Sequence, residues 1–153
     1  MKLSLTFNPQ QLIQRYMSAQ STVMKQLFQQ LDQSTPNMMT PEQFQTICII
    51  YDHGTCTPTC LADTLMVGKS SVTAIVSRLA GRGLVERTRD DSDRRQVYLS
   101  LTETGQETYQ QMSAKVQAIV SSYLTYFQEE EIESFISKFE RLAKLMVEGS
   151  DTR

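Results

Sequence analysis

Residues 57–105 carry the pattern that most narrows the fold of this chain. Two apolar stretches of helical period, at about residues 58–65 and 69–80, are separated by a short break. Two short runs typical of strands follow, at residues 84–88 and 96–101, and the stretch between them is charged and polar. This order predicts two short helices joined by a tight turn and followed by an antiparallel hairpin.

Local rules predict where the two helices begin and end. Thr57 is a good N-cap, and Pro58 needs no N–H at the first helical position, so the first helix begins here. The break Met66-Val67-Gly68 ends it after about two turns, and we expect Gly68 to supply the backbone freedom of the turn. The second helix ends at Gly81-Arg82-Gly83, because glycine is typical of helix C-termini.

The second helix has two contrasting faces. Apolar residues recur at i, i+3, i+4 and i+7 and predict a face in the core: Val72, Ile75, Val76 and Leu79. The opposite face is small, polar or basic, which suits a helix that enters the major groove of DNA. The DNA contacts predicted on this helix are Lys69, Ser70, Ser71, Thr73, Ser77 and Arg78.

The predicted hairpin is a wing, and the loop between its two strands is charged. Residues 89–95 have no apolar side chain, so this loop faces water or a charged partner. Arginine occurs four times between residues 87 and 95, which is more than solvation requires. A helix pair followed by such a wing is most often used to bind duplex DNA. The DNA contacts predicted on the wing are Arg87, Arg89, Asp93, Arg94 and Arg95.

These residues resemble the MarR (multiple-antibiotic-resistance regulator) family of bacterial winged helix-turn-helix transcription factors. The resemblance lies in the run LADTLMVGKSSVTAIVSRLAGRGLVER, the wing signature Asp90-x-x-Asp93-Arg94-Arg95 and the closing Val97-x-Leu99-x-Leu101-Thr102-x-x-Gly105. A helix pair alone is a weak signal, but the three features at this spacing are strong together. The family often has proline where this chain has Asp91, a difference that changes the stiffness of the wing loop.

The resemblance implies a mainly α fold with a small β-hairpin wing, in which a winged helix-turn-helix head lies on a helical dimerisation base. Residues 1–153 then form a single MarR-like domain. Residues 38–105, approximately, are the DNA-binding lobe, and residues 1–35 and 106–148 supply the dimerisation helices. The implied function is a homodimeric regulator, by expectation a repressor, that binds a pseudo-palindromic operator and is released by an effector. Asp93 is expected to pair with Arg95 and hold the wing tip, following the Asp-x-Arg pattern of the family.

The distribution of charge agrees with this function. The net charge is −2, but residues 69–95 carry one lysine and six arginines against four carboxylates, so this segment is +3 and the rest of the chain −5. A basic patch on an acidic body favours site-directed DNA binding. No apolar run is long enough to span a bilayer, and the N-terminal MKLSLTFNPQQ lacks the apolar stretch of a signal peptide, so we expect a cytoplasmic protein without a membrane partner.

Helical periodicity outside the head predicts four further helices. They cover about residues 8–33, a segment that begins with the capping box Thr40-Pro41-Glu42-Gln43, a segment from Thr102 to about Tyr126, and a segment that begins at Glu129. The head has a small core of its own, so the first and last helices pack on each other or on a second chain. The second chain is preferred, because dimeric readers of symmetric DNA need two heads one helical turn apart.

Three cysteines, Cys48, Cys56 and Cys60, argue by their odd number against a disulfide framework in a cytoplasmic chain. His53, Cys56 and Cys60 lack a fourth ligand, so we predict no metal and no cofactor. Cys48 lies in an apolar run and is predicted to be a core residue. Plain structural cysteines are the preferred interpretation, and Cys56 and Cys60 remain the alternative as redox-sensing thiols, with Cys60 near a helix N-terminus that favours its thiolate.

A small aromatic or lipophilic effector is also implied by the resemblance, at the junction of base and head. The residues predicted near that junction are Tyr16, Met17, Phe44, Tyr51 and Met66. Ordinary core packing is the preferred alternative for each of them.

Catalysis has no support in the sequence. His53 is the only histidine and has no accompanying nucleophile motif, and no glycine-rich phosphate loop is present. We therefore predict that the chain is not an enzyme. The alternative function is a winged-helix protein-interaction module that has lost DNA binding, which the arginine-rich wing disfavours. Salt-dependent binding to duplex DNA separates the two functions.

Overall fold

The computed structural model describes residues 8–34 and 39–150, and in these ranges the chain forms six helices and one two-stranded antiparallel sheet. The predicted mainly α fold with a hairpin wing is confirmed. In chain order the elements are α1 (Pro9–Ser34), α2 (Pro41–His53), α3 (Pro58–Leu65), α4 (Lys69–Gly81), β1 (Val85–Arg89), β2 (Val97–Leu101), α5 (Glu103–Leu124) and α6 (Glu129–Ser150). None of the described helices is both long enough and apolar enough to cross a membrane.

The chain divides into two compact units, and the boundary between Val116 and Gln117 lies inside α5. The first unit contains α1, the winged head and the start of α5, and the second contains the end of α5 and α6. The predicted division into a lobe at residues 38–105 and dimerisation helices on either side stays a prediction. Its limits at residues 1–7 and 35–38 lie outside the described residues.

Side-chain caps begin α2 and α3, as the sequence predicts. Thr40 and Gln43 form the reciprocal capping box: the Gln43 N–H donates to the Thr40 hydroxyl at 3.2 Å, and the Thr40 N–H donates to the Gln43 side-chain oxygen at 3.4 Å. The Thr57 hydroxyl accepts the N–H of Cys60 at 3.1 Å. Each cap satisfies amides that the first helical turn leaves without a partner.

The turn between α3 and α4 differs from the prediction. Met66, not Gly68, takes the left-handed conformation, with φ 54° and ψ 43°, while Gly68 is extended and serves as the N-cap of α4. The Met66 N–H donates to the Asp63 carbonyl at 3.3 Å and so closes the C-terminus of α3. Helices commonly end on one left-handed residue, and that residue is where the chain reverses. The expectation that Gly68 supplies the turn is therefore wrong.

The core of the head lies between α2, α3, α4 and the hairpin. The predicted inward face of α4 is confirmed, because Val72, Val76 and Leu79 are buried and Ile75 is half-buried against the core. The apolar residues with the lowest exposure come from four different elements, which shows that the elements share one core. They are Ile47, Ile50, Leu61, Leu79 and Leu99.

The hairpin is joined to the helices by a backbone contact that the sequence does not predict. Strands β1 and β2 pair in antiparallel register, with Arg87 opposite Leu99. On its other side Leu99 pairs with Cys56, whose N–H donates to the Leu99 carbonyl at 3.0 Å, while the Leu99 N–H donates to the Cys56 carbonyl at 2.7 Å. Cys56 therefore adds one residue of a third strand, between α2 and α3.

The start of α5 is attached to the head through Thr102 and Gly105. The Thr102 hydroxyl accepts the Gly105 N–H at 3.0 Å, as a helix cap does, and donates to the Gly83 carbonyl at 2.6 Å. Gly105 is buried beside Leu84, and a Cβ added at this position would overlap the Leu84 carbonyl oxygen. The closing Leu-Thr-x-x-Gly of the sequence signature is thus explained by a close approach of two backbones.

The second unit presents a helix with an apolar stripe that stays exposed in the single chain. Helix α6 begins with Glu129, Glu130 and Glu131 in its first turn, as predicted. The rings of Phe135 and Phe139 stack with centroids 6.0 Å apart. The large apolar residues that are exposed on α6 are Phe135, Ile136, Phe139, Leu142, Leu145, Met146 and Val147.

We predict that Gly105→Ala destabilises the protein by about 1–3 kcal/mol, the cost of forcing an extra methyl group against packed atoms. Gly81→Ala is the matched control, because a Cβ at Gly81 has no atom within 4 Å. In a helix this control is expected to be neutral or stabilising by up to about 1 kcal/mol. Urea denaturation of both variants measures the difference. Equal stability of the two variants would contradict the close approach at Gly105.

Candidate nucleic-acid interface

The outward face of α4 is a polar surface without a large apolar side chain. All six residues predicted to contact DNA from this helix are exposed: Lys69, Ser70, Ser71, Thr73, Ser77 and Arg78. Their exposure follows from burial of the opposite face, because the packing of Val72, Val76 and Leu79 sets the rotation of the helix. The Thr73 hydroxyl donates to the Lys69 carbonyl at 2.9 Å, so its oxygen remains available as an acceptor.

The N-terminus of α4 belongs to the same surface. Its N-cap is Gly68, and no side chain caps the first amides of the helix. The first turn carries Lys69, Ser70 and Ser71, all exposed. Backbone N–H groups and the positive end of a helix dipole favour an anion such as a phosphate, and the Lys69 ammonium adds to this preference.

One wing residue lies against α4. Arg87, in the middle of β1, donates from its guanidinium to the Ser77 hydroxyl with a separation of 3.1 Å. The two residues are ten positions apart in the sequence and belong to a strand and a helix, so neither periodicity nor motif spacing predicts the contact. The structure thus brings together two of the residues predicted separately to bind DNA.

The wing tip is ordered by short hydrogen bonds to aspartate. The Asp90 carboxylate accepts the Ser92 N–H at 2.9 Å and the Ser92 hydroxyl at 2.8 Å. These bonds favour the charged form and lower the pKa of Asp90 below its ordinary value, the backbone N–H of Ser92 contributing most. The loop is closed by the Asp90 N–H, which donates to the Gln96 carbonyl at 3.1 Å.

Asp93 holds the tip in a different way from the expected one. Its carboxylate accepts the backbone N–H of Arg95 at 3.1 Å, so the contact is an aspartate turn to the backbone and not an ion pair with the guanidinium. In the part of the chain that the structure describes, the exposed guanidinium groups of Arg89, Arg94 and Arg95 form no ion pair with a carboxylate.

The residues predicted near an effector have three kinds of surroundings. Tyr16 and Met17 are exposed on α1, and Met66 is 91% exposed in the turn after α3. Half-buried Phe44 packs edge-on against Phe28 of α1, with centroids 6.2 Å apart. Tyr51 stacks on Tyr109 of α5, with centroids 3.8 Å apart. These contacts join α2 to α1 and to α5, and they do not gather the five residues into one cavity.

The cysteines are free thiols with different surroundings. Cys56 is buried, and burial, with a smaller contribution from the nearby Cys60, raises its pKa to about 11. Very little of such a thiol is ionised near neutral pH, which disfavours Cys56 as an oxidant sensor. Cys48 is half-buried and so only partly a core residue, and burial, followed by the charge of Asp52, raises its pKa.

Comparisons with a family model, with related sequences and with solved structures all agree with the resemblance seen in the sequence. A model described as the MarR family matches residues 39–97. An HTH-type transcriptional regulator of Bacillus subtilis, YwhA, is 29% identical over 75% of this chain and 84% of its own length. The repressor MdtR of the same organism is 33% identical, and the match covers 61% of each protein. The crystal structure of FabT from Streptococcus pneumoniae in complex with DNA is 25% identical, has a TM-score of 0.76 and covers 92% of this chain and 99% of that one.

We predict that Ser92→Ala raises the pKa of Asp90 part of the way to its ordinary value, because it removes the hydroxyl donor and keeps the stronger amide donor. Since the pKa is lowered in the folded chain, the contribution of Asp90 to wing order is complete above the ordinary aspartate pKa. It is lost as the pH falls through the lowered value. An NMR titration of the carboxyl carbon measures this shift. Ser100→Ala, elsewhere on the hairpin, is the control, and a Ser92→Ala curve identical to wild type would contradict the contact.

Proposed function

The chain belongs to the MarR family of DNA-binding transcriptional regulators, and we propose that it is a sequence-specific repressor that binds a pseudo-palindromic operator as a homodimer and is released by a small-molecule effector. The observation that carries the proposal is the exposed polar face of α4 next to a wing rich in exposed arginine. MdtR is named a transcriptional repressor, which supports repression as the mode of regulation. FabT was crystallised in complex with DNA, which supports duplex DNA as the partner. The site of action would be the bacterial cytoplasm.

In this proposal α4 lies in the major groove. Its serine and threonine hydroxyls reach base edges or phosphates, either directly or through a neighbouring side chain, and Lys69 and Arg78 contribute charge. The composition of this exposed face supports the role, because its hydroxyl and basic side chains can donate hydrogen bonds to base edges and phosphates. The amides at the start of α4 add a contact to a phosphate.

The wing contributes charge at a second position on the duplex. Arg94 and Arg95 would reach the minor groove or the backbone, and Arg87 and Arg89 would act nearer the base of the wing. The role of Asp93 would be indirect: through its bond to the Arg95 N–H it holds the loop that presents the two arginines. Because the tip is ordered by bonds from its aspartates to its own backbone, its guanidinium groups stay available to bind phosphate.

Dimerisation would use the terminal helices, at about residues 1–35 and 106–148. On α1, large apolar side chains are exposed in the single chain, among them Leu12 at 54%, Ile13 at 61% and Val23 at 63%. The stripe on α6 is exposed in the same way. Apolar surface of this extent on a monomer is typical of an interaction site, and a second copy of the same chain buries it symmetrically.

The effector would be a small aromatic or lipophilic molecule, with Tyr16, Met17, Phe44, Tyr51 and Met66 as its candidate contacts. Exposed rings and thioethers offer apolar, adaptable contact surface for such a ligand. A ligand that binds better to one arrangement of the heads than to another lowers DNA affinity by shifting the population. A thiol switch at Cys56 or Cys60 is the less favoured route, since the Cys56 pKa is raised.

We predict that Arg95→Ala weakens binding to a cognate duplex by about 1–3 kcal/mol per head, the scale of one good groove contact, and leaves folding unchanged. The duplex is first selected by the protein from a random-sequence pool, and affinity is then measured by fluorescence anisotropy at moderate salt. Arg141→Ala, an arginine on α6, is the charge-matched control. Wild-type affinity of the Arg95→Ala protein would defeat the proposed role of the wing.

We predict that the Phe135→Asp/Phe139→Asp double variant forms monomers or aggregates and binds the selected duplex poorly. Each large apolar side chain that a dimer buries contributes about 1.5–3 kcal/mol, and a buried carboxylate removes that gain. Ser137→Asp is the control, because Ser137 lies on the opposite side of the same helix. Sedimentation velocity at micromolar concentration gives the oligomeric state. A monomeric wild-type protein would contradict the dimer at once.

A further inference from the structure

The register of the hairpin explains why Arg87 reaches α4. Cys56, Leu99 and Arg87 form one row across three backbone segments, each directly opposite the next. Side chains of directly paired residues point to the same face of a sheet. Cys56 and Leu99 are buried on the core side, so Arg87 at the end of the row extends toward the helices and not toward the outer face of the wing.

Ser77 is the acceptor that Arg87 meets there. On α4, Ser70, Thr73 and Ser77 are separated by three and four residues, so they form one stripe along the exposed side of the helix. The guanidinium of Arg87 lies at the C-terminal end of this stripe, 3.1 Å from the Ser77 hydroxyl oxygen. A side chain that comes from the wing is thereby placed beside the helix that faces the major groove.

The chemistry of the contact leaves Arg87 able to bind an anion. A guanidinium has five N–H donors, and this hydrogen bond uses one. The other donors belong to an exposed residue. An exposed arginine with no partner samples many rotamers, and binding then has to order it at a cost in entropy. The bond to Ser77 reduces that cost in advance, as preorganisation does in other interfaces.

We propose, resting on the function proposed above, that Ser77 is a positioning residue that holds Arg87 against α4, so that Arg87 contacts the DNA flanking the segment read by α4 and not the DNA under the wing tip. Ser77 then acts on DNA through Arg87. Arg94 and Arg95 form a separate contact, because the tip that carries them is ordered by its own aspartate turns.

A measurement without DNA tests the positioning step. NMR relaxation of the Arg87 side-chain Nε–H reports how far the guanidinium moves. We expect a restricted Arg87 in the wild type and in Ser77→Thr, which keeps a hydroxyl, and a mobile Arg87 in Ser77→Ala. Arg95 is the internal control, and its mobility is expected to be the same in all three proteins. Equal mobility of Arg87 in wild type and Ser77→Ala would overturn the proposal.

A double-mutant cycle on the selected duplex tests the consequence for binding. We expect Arg87→Ala to weaken binding by about tenfold per head, the effect of losing one hydrogen bond to a charged group, and to lower the salt dependence by about one phosphate contact. Ser77→Ala is expected to weaken binding less, and the double variant to bind as Arg87→Ala alone does. Ser77→Thr is expected to bind as the wild type.

The cycle with Arg95 gives the matched control. The fold losses in affinity caused by Ser77→Ala and by Arg95→Ala are expected to multiply in the double variant, because these residues act independently. If the fold losses in affinity caused by Ser77→Ala and by Arg87→Ala multiply in their double variant, the proposal is overturned, because Ser77 would then contact DNA on its own. If no duplex is selected, the proposed function fails, while the NMR measurement still decides whether Ser77 positions Arg87.

Discussion

The paired backbones of Cys56 and Leu99 are the contact on which the arrangement of the head depends. Each residue donates its N–H to the other's carbonyl, at 3.0 and 2.7 Å, so the segment between α2 and α3 is bonded directly to the hairpin. Leu99 is also wholly buried and pairs with Arg87 on its other side. One residue thus sets the distance from the helices to the wing and the side of the sheet on which Arg87 lies.

The functional surface follows from what the core buries. Because the inward face of α4 packs against α3 and the hairpin, its hydroxyls and basic groups are left outward. The wing tip is ordered by aspartates that accept backbone N–H groups, and within the described residues these aspartates form no ion pair with the exposed arginines next to them. A short segment with a local charge of +3 can therefore present its positive groups on a chain whose net charge is −2.

Local signals in the sequence predict most of the fold, and the contacts they miss are those between distant segments. The capping box at Thr40 and the buried face of α4 depend on neighbours within one or two turns, and both are confirmed. The pairing of Cys56 with the hairpin and the bond from Arg87 to Ser77 have no local signature, because they require the tertiary arrangement. The prediction for the turn between α3 and α4 is wrong, because glycine is expected to take the left-handed conformation and Met66 takes it instead. The left-handed residue stands where α3 ends, and the position of that end is not decided by residue type alone.

We propose that two copies of this surface bind one duplex. Hydroxyl-radical footprinting of the protein on a duplex that it has selected measures how many copies bind and where they lie. We expect two protected patches related by symmetry, with centres one helical turn apart, about 10–10.5 base pairs, or a multiple of that distance. Protection spread evenly along the duplex, or a single patch at saturating protein, would contradict it.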